Sequence, residues 1–319
     1  GNSMKKLFLI VLSAFLLVGC STSHLENGKE SVVKFDEGGI SAEDLYNKLK
    51  SQYGVSTLLD LIDEELLSRE YKSTDDENTY VRNVVSSYKK QWGDQYLTNI
   101  QNYYGVKDED AFKDMLKLSY KRNEWLKDYA KDSVTDKEIE EYYDSEVVGD
   151  MELKHILIKV DTSSTSSDSE KTEAEKKALE TAKEVIKKLN DGESFDDLAK
   201  EYSDDSANKD NGGSLGTVKF NDNYDASFME AAKELKTNTY SDEPVKSQYG
   251  YHIIFKVSQQ EKKDLDSVKN DIISVISEEK INNETNFSTK ALLNLREKYG
   301  IKITDSELKD SYNERFGLN

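Results

Sequence analysis

The sequence predicts an α+β fold in which a small antiparallel or mixed sheet with surrounding helices is inserted into a mostly helical domain. Three observations lead to this prediction. Apolar residues recur at helical spacing on both sides of the centre of the chain, and a β-rich pattern with many turns occupies the centre itself. The length of 319 residues also exceeds what one hydrophobic core usually organises. The two helical flanks are therefore expected to pack together as one domain.

The amino terminus has the layout of a secretion signal. Residues 1–3 precede a Met-Lys-Lys start and are interpreted as an expression scar, and an apolar run at residues 7–18 follows the two lysines. At about 1.5 Å per residue this run is well short of a roughly 30 Å hydrocarbon core, so a membrane-spanning helix is the weaker interpretation. We expect a signal peptide over residues 4–19.

The only cysteine of the chain, Cys20, directly follows this signal. A single cysteine excludes an internal disulfide. The tetrapeptide Leu17-Val18-Gly19-Cys20 resembles the lipobox of bacterial lipoproteins, in which the cysteine receives a diacylglyceryl group and becomes the first residue of the mature chain. The resemblance implies a lipid anchor at Cys20 on the extracytoplasmic face of a Gram-positive cell membrane. Two acyl chains anchor stably, at about 0.8 kcal/mol per buried methylene. A flexible tether is expected over residues 20–30.

Composition and charge exclude two broad classes of protein. A formal net charge of −19 without basic clusters argues against binding to nucleic acid, because phosphate contacts need a positive surface. Nineteen tyrosines and ten phenylalanines, together with periodic aliphatic residues, argue against wholesale disorder.

Helices are predicted for most of residues 31–150 and 258–319, which are expected to form the helical domain. A short strand at residues 31–35 precedes a helix that Ser41 can cap, and Thr135 with Glu138 forms a capping box for a later helix. From Leu265 the helical spacing returns, which predicts one long helix that Gly300 stops and a final strand over residues 301–304. Nothing in these flanks suggests catalysis.

The pattern changes at Met151, where residues 151–160 alternate as a buried strand does. A Ser/Thr-rich loop at residues 161–169 follows. The later elements of the centre are predicted in this order: a charged helix to Asn190, a short helix at Phe195–Tyr202, a turn-rich region at residues 203–216, a helix at residues 226–235 and a strand at residues 251–257.

Several motifs occur in this central segment at specific spacing. They are Lys154-x-Ile-Leu, Phe195-x-x-Leu-Ala-x-x-Tyr-Ser-Asp-Asp205, Asn211-Gly-Gly-Ser-Leu-Gly216, Phe228 and Glu243-Pro-Val-x-Ser-x-x-Gly-Tyr-His-Ile-Ile-Phe-Lys-Val257. In this order, residues 151–257 resemble the parvulin family of peptidyl-prolyl cis/trans isomerases. The whole chain resembles the PrsA-type foldases, which carry such a domain and are related in layout to SurA-like chaperones.

The resemblance implies an isomerase without metal or cofactor. It assigns four catalytic positions: His155, Asp205, His252 and Ser247. It assigns the proline pocket to Leu215, Tyr224 and Phe228. From the residues alone, the histidines are also explained as hydrogen-bonded core residues and Asp205 as the cap of a turn. Phe228 at helical spacing would ordinarily be a core residue, and only the resemblance assigns it to a pocket. Residues 217–224 depart from the family pattern, because they lack a usual glycine and are one residue longer.

The loop after the first central strand also bears on specificity. Parvulins that select phosphoserine-proline carry arginines there, whereas this loop has none and only Lys159 precedes it. Selectivity for phosphoserine-proline is therefore not expected.

The resemblance leaves two functions open. The first is an active isomerase that folds unfolded or partly folded secreted proteins after export. The alternative is a holdase-type chaperone whose parvulin domain is weakly active or inactive. A solute-binding lipoprotein would need two α/β lobes, and the helical flanks argue against that class. The oligomeric state stays open, although helical cradles of this kind can pair as a homodimer.

Overall fold

The computed structural model describes residues 22–318. The predicted scar, the signal peptide at residues 4–19 and the predicted anchor Cys20 lie outside the described residues. The described chain divides into two compact units, and the division falls within two helices. We call residues 22–123 with 292–318 the flanking unit and residues 124–291 the central unit. Among residues 22–318, no helix combines the length and apolar character needed to cross a membrane.

The flanking unit consists of a hairpin followed by helices from both ends of the chain. Its elements are β1 (Ser31–Phe35), β2 (Gly38–Ser41), α1 (Ala42–Glu70), α2 (Asp75–Trp92), α3 (Tyr96–Tyr104), the first part of α4 (Glu109–Asp132), the end of α10 (Phe287–Lys298) and α11 (Ser306–Phe316). The predicted strand at residues 31–35 is confirmed. The predicted cap is confirmed as well, since Ser41 Oγ accepts the backbone N–H of Asp44 at 3.0 Å.

Residues 22–30, expected to be a flexible tether, are folded onto the hairpin. The backbone N–H of Gly28 donates to the carbonyl of Leu25 at 2.9 Å, which closes a turn over residues 25–28. The N–H of Ser31 donates to the carbonyl of Ser23 at 2.7 Å. Gly28, the last residue of this turn, has φ 81°, a left-handed conformation that glycine adopts without steric cost.

A buried ion cluster joins three helices of the flanking unit. The carboxylate of Asp63 on α1, with no exposed surface, accepts hydrogen bonds from Arg122 on α4 at 2.8 and 3.0 Å. It also accepts two from Arg296 on α10, at 2.8 and 2.9 Å. Arg296 is only 3% exposed, so the pair depends on these bonds to offset the loss of hydration.

The central unit combines one sheet with helices on both faces. Its elements include α5 (Asp136–Glu146), β3 (Met151–Ile158), α6 (Asp168–Asn190), α7 (Phe195–Tyr202), β4 (Ser214–Val218), α8 (Ala226–Glu234), β5 (Thr239–Tyr240), β6 (Val245–Ser247), β7 (Gly250–Gln259) and α9 (Leu265–Asn283). The strand order is β4-β3-β7-β5, β6 also pairs with β7, and every pairing is antiparallel. The α+β fold class is confirmed, and so is the capping box at Thr135 and Glu138.

The pairing of β3 with β7 decides which side chains share a face. Leu157 lies opposite His252, so His155, two residues before Leu157, lies on the same face as His252. The opposite face carries Ile156 and Ile253, which pack against α6 and α7. On the histidine face, α8 packs Phe228 into a second core with Leu153 and Ile254, among others. Both histidines therefore lie on the face of the sheet that packs against α8, and α6 and α7 cover the other face.

Two predictions at the carboxyl terminus were wrong. Residues 301–304 form no strand, and the unpredicted helix α11 follows them, capped by Asp305, whose Oδ1 accepts the N–H of Leu308 at 2.9 Å. The predicted long helix is interrupted between α9 and α10, where Asn286 adopts a left-handed conformation with φ 60°. Two isoleucines in alternation are too short a pattern to distinguish a strand from a linker.

Candidate active site

The two histidines meet at the centre of the sheet. Their Nδ1 atoms are 3.0 Å apart, and their rings are stacked with centroids 5.3 Å apart. Each side chain belongs to a residue that is only 5% exposed. The ring contact therefore joins β3 and β7, the two central strands of the sheet.

Asp205 lies beside His155, in the loop that follows α7. Its Oδ2 atom is 2.7 Å from His155 Nε2 and accepts the side-chain amide of Asn208 at 2.8 Å. Ser203 fixes the start of this loop, because its Oγ accepts the backbone N–H groups of Leu157 and Asp205. The carboxylate is thereby held against the histidine from the loop side.

Ser247, the last residue of β6, lies beside the other histidine. Its Oγ is 2.6 Å from His252 Nε2 and accepts the backbone N–H of Tyr249 at 3.1 Å. The tight connection from β6 into β7 brings these residues together. The four predicted catalytic residues therefore form one continuous chain of hydrogen bonds.

We assign the protons along this chain from the partners of each atom. Ser247 Oγ accepts the Tyr249 N–H and donates its own O–H to His252 Nε2, because the ionised carboxylate of Asp205 at the other end of the chain can only accept. His252 then carries its proton on Nδ1 and donates to His155 Nδ1. His155 in turn donates from Nε2 to the carboxylate of Asp205. Every site is satisfied with both imidazoles neutral and the carboxylate ionised.

The pKa shifts agree with that assignment. Burial lowers the pKa of His155, although Asp205 partly opposes this effect. Burial, and then repulsion from His155, lower the pKa of His252 to about 4. Burial would raise the pKa of Asp205, but hydrogen bonds from His155 and Asn208 outweigh it and leave this pKa below its usual value. At neutral pH the site holds neutral histidines and one carboxylate.

The low pKa of His252 predicts that the central unit loses stability in mild acid. The unfolded chain binds this proton near pH 6.5 and the folded chain only near pH 4, so the unfolded state binds more protons between these values. The contribution of His252 to the free energy of unfolding is therefore complete above pH 6.5. It is lost as the pH falls from 6.5 to about 4, by roughly 3 kcal/mol in total.

Hydrogen exchange of the β3 and β7 amides in the full chain, corrected for intrinsic rates, measures this loss. Exchange protection should fall already between pH 7 and pH 5.5, where carboxylates contribute little, and a His252→Asn variant should show a weaker dependence. Equal protection of the wild-type strands at both pH values would contradict the prediction.

Above the histidines lies a cavity of about 550 Å³. Its apolar wall contains Leu215 on β4, Phe228 on α8 and Tyr224 in the loop before α8. The rings of Tyr224 and Phe228 are stacked with centroids 5.1 Å apart. Phe228 also packs edge-on against His252 at 5.1 Å, so the histidines form the floor beneath this wall. Of the seven predicted site residues, Ser247 alone does not line the cavity and reaches it through His252.

The sequence reasoning missed several residues that build this site. Asn208 binds Asp205, and Ser203 holds the loop. Asp225 lines the cavity and caps α8, accepting the N–H groups of Ser227 and Phe228. An aspartate directly before a helical pattern is a recognisable cap signal. Nothing in the sequence pattern distinguishes Asn208 or Ser203 from other loop residues.

Comparisons with known proteins match the central domain and most of the chain. A family model described as a PPIC-type PPIase domain, or rotamase, matches residues 155–259. The chain is 36% identical over 311 residues to foldase protein PrsA of Bacillus subtilis. This alignment covers 97% of this chain and 94% of the B. subtilis protein. It is 33% identical to foldase protein PrsA 2 of Listeria monocytogenes, over 97% of this chain and 95% of that one.

Solved structures are similar over most of the chain. A crystal structure of the peptidylprolyl isomerase PrsA from Bacillus cereus matches with a TM-score of 0.51 and 32% identity, over 89% of this chain and 98% of that one. A foldase protein PrsA from Streptococcus pneumoniae matches in fold, with a TM-score of 0.68 and 21% identity. That match covers 88% of this chain and 98% of the other.

Proposed function

Since this chain belongs to the PrsA family of foldases and carries a parvulin-type peptidyl-prolyl isomerase domain, we propose that it is a lipid-anchored foldase outside the cytoplasm. It isomerises X-Pro bonds in secreted proteins after export and keeps these clients from aggregating. The proposal rests on the chain of hydrogen bonds from Asp205 to Ser247. This chain lies beneath the apolar part of the cavity formed by Leu215, Tyr224 and Phe228, which we call the slot.

The slot suits the chemistry of proline isomerisation. An X-Pro bond rotates through a twisted amide over a barrier of about 18–20 kcal/mol, because resonance is lost on twisting. The planar amide is the more polar form, since resonance separates charge between nitrogen and oxygen. A wall of Leu215, Tyr224 and Phe228 holds the pyrrolidine ring and removes water from the amide. This environment disfavours the planar form relative to the twisted one, and the difference is what lowers the barrier.

The polar floor keeps the slot in one geometry. His155, His252 and Asp205 face the cavity and contact the substrate, whereas Ser247 is a positioning residue that acts through His252. Phe228 rests on both imidazole rings, so a shift in either ring displaces the proline wall. No covalent intermediate is needed for this reaction.

For the anchor, we propose that the thiol of Cys20 carries the diacylglyceryl group. The apolar run before it is too short to span a bilayer and ends in a lipobox-like tetrapeptide. A Cys20→Ser variant should either be released from the membrane or accumulate as the uncut precursor, which cell fractionation and the mass of the protein distinguish. A variant that is processed and sedimented with membranes like the wild type would contradict the assignment.

A second candidate function, holding unfolded clients, is favoured by an exposed apolar face on α1. Five large side chains on this helix are exposed by 44% to 62%: Leu45, Tyr46, Leu49, Tyr53 and Leu61. Four of them, together with Leu58 and with Leu308 of α11, line a groove of about 500 Å³ within the flanking unit. Large exposed apolar patches are rare on soluble proteins unless they bind a partner. We propose that apolar segments of clients occupy this groove.

This division of labour predicts that holding and isomerisation can be separated by mutation. The double variant Leu49→Glu with Tyr53→Glu should reduce suppression of aggregation of a denatured test protein severalfold, because charges in the groove repel apolar segments. Its isomerase activity towards short proline peptides should be unchanged. Leu97→Glu on α3, where another exposed leucine is altered, is the matched control and should retain both activities.

Two outcomes would contradict this division. Full aggregation suppression by the double variant would place client binding elsewhere. Absence of isomerase activity in the wild type, with suppression retained, would favour the holdase over the active isomerase.

A further inference from the structure

Acidic groups outnumber basic groups among the residues that line the isomerase cavity. Asp204, Asp205 and Asp225 line the cavity, whereas Lys159 is the one cation among the lining residues that the structure describes. The three carboxylates and the ammonium group leave a net charge of −2 on this surface. The two histidines do not offset it, because burial keeps them neutral at neutral pH.

Hydrogen bonds to the backbone hold these carboxylates in place. Asp204 Oδ2 accepts the N–H of Lys159 at 2.8 Å, and Asp225 Oδ1 accepts the N–H of Ser227 at 2.9 Å. Among the described residues, no lysine or arginine side chain forms a salt bridge with Asp204, Asp205 or Asp225. Their charge is therefore available to a substrate.

The position of the proline slot determines which part of a substrate meets this charge. A ring seated against Leu215, Tyr224 and Phe228 leaves the rest of the cavity lining to the residues next to the proline. Lys159, Asp204 and Asp225 belong to that remaining lining. This step rests on the proposed function, because it uses the proposed seat of the proline.

We propose that this acidic lining makes the isomerase selective for proline segments with lysine or arginine beside the proline and disfavours glutamate-proline. One elementary charge about 7 Å away in water changes a binding constant about threefold. A lysine and a glutamate beside the proline respond to this charge in opposite directions. A net charge of −2 therefore predicts that kcat/KM for a lysine-proline peptide exceeds that for a glutamate-proline peptide by a ratio of roughly tenfold or more at low salt. The ratio should approach one in 1 M salt, where the Debye length is about 3 Å.

The test uses the full chain and three peptides of the form Ala-Xaa-Pro-Phe, with lysine, alanine or glutamate at Xaa. The value of kcat/KM, measured by NMR exchange between cis and trans peptide, should follow the order lysine, alanine, glutamate. Equal values for lysine and glutamate at low salt, or a preference for glutamate, would overturn the proposal.

Charge variants sharpen the test because they act in opposite directions. Asp204→Asn keeps an oxygen for the Lys159 N–H and removes one negative charge, so the lysine-to-glutamate ratio should fall severalfold. Lys159→Met removes the cation, so the ratio should rise severalfold. Glu261→Gln removes an exposed charge outside the cavity lining and should leave the ratio unchanged. Shifts of Asp204→Asn and Lys159→Met in the same direction would overturn the proposal.

Calorimetric binding of the same peptides separates this inference from the proposed function. If no peptide is isomerised, the proposed isomerase function fails, but tighter binding of the lysine peptide than of the glutamate peptide still supports the charge selectivity. Equal binding of the two peptides overturns it.

Discussion

Replacing Asp205 by alanine is expected to reduce kcat/KM for proline peptides by about 10- to 100-fold. The change removes the acceptor of the His155 Nε2–H and leaves a buried donor unpaired, at a cost of about 1–3 kcal/mol. His155 and His252 can then rearrange their protons, and Phe228, which packs on both rings, loses its fixed floor. A protease-coupled or NMR exchange assay on the full chain measures the loss.

Two controls separate this effect from general damage. Asp210→Ala removes an exposed aspartate from the same loop and should retain activity within about twofold. Circular dichroism and hydrogen exchange of β3 must show that Asp205→Ala is folded. A folded Asp205→Ala variant with wild-type activity would remove this residue from the proposed site.

Replacing Asp63 by alanine is expected to lower the free energy of unfolding of the flanking unit by about 3–5 kcal/mol. The substitution leaves Arg296, which is 3% exposed, buried without its carboxylate partner. Removing one partner of a buried ion pair is costly because the remaining charge stays away from water. Urea unfolding of the full chain, with hydrogen exchange of α1 to identify the unit that opens, gives the value.

The matched control lies two residues further along the same helix. Glu65 pairs with Arg69 on the exposed surface at 2.9 Å, and Glu65→Ala should change stability by about 0.5 kcal/mol or less. Similar effects of Asp63→Ala and Glu65→Ala would mean that the buried cluster contributes no more than a surface pair.

The sequence predicted those elements whose signals are local and long. Alternation over residues 151–160 predicted the strand that became β3, and cap residues such as Ser41 predicted where helices begin. The seven candidate site residues came from the resemblance to the parvulins. The spacing of apolar residues alone would have predicted that His155 and Phe228 are core residues, and both are indeed buried.

Other features depend on contacts between distant residues, so local patterns could not predict them. The strands β5 and β6 have two and three residues, too few to establish a period. Asn208 acquires its role only when the loop brings Asp205 to β3. The boundary of the central module is a further example, because the compact unit extends to α5 and α9, which share a core with Phe220. Our boundary of residues 151–257 stays a prediction.

The central claim is that proline segments bind and isomerise above the His155–His252 pair. The most direct measurement is NMR on the full chain with a proline peptide, recording cis/trans exchange of the peptide and amide shifts of the protein together. We expect accelerated exchange, with the largest shifts at Leu215, Phe228 and His252. Unaccelerated exchange, or shifts confined to α1 and α11, would contradict the claim.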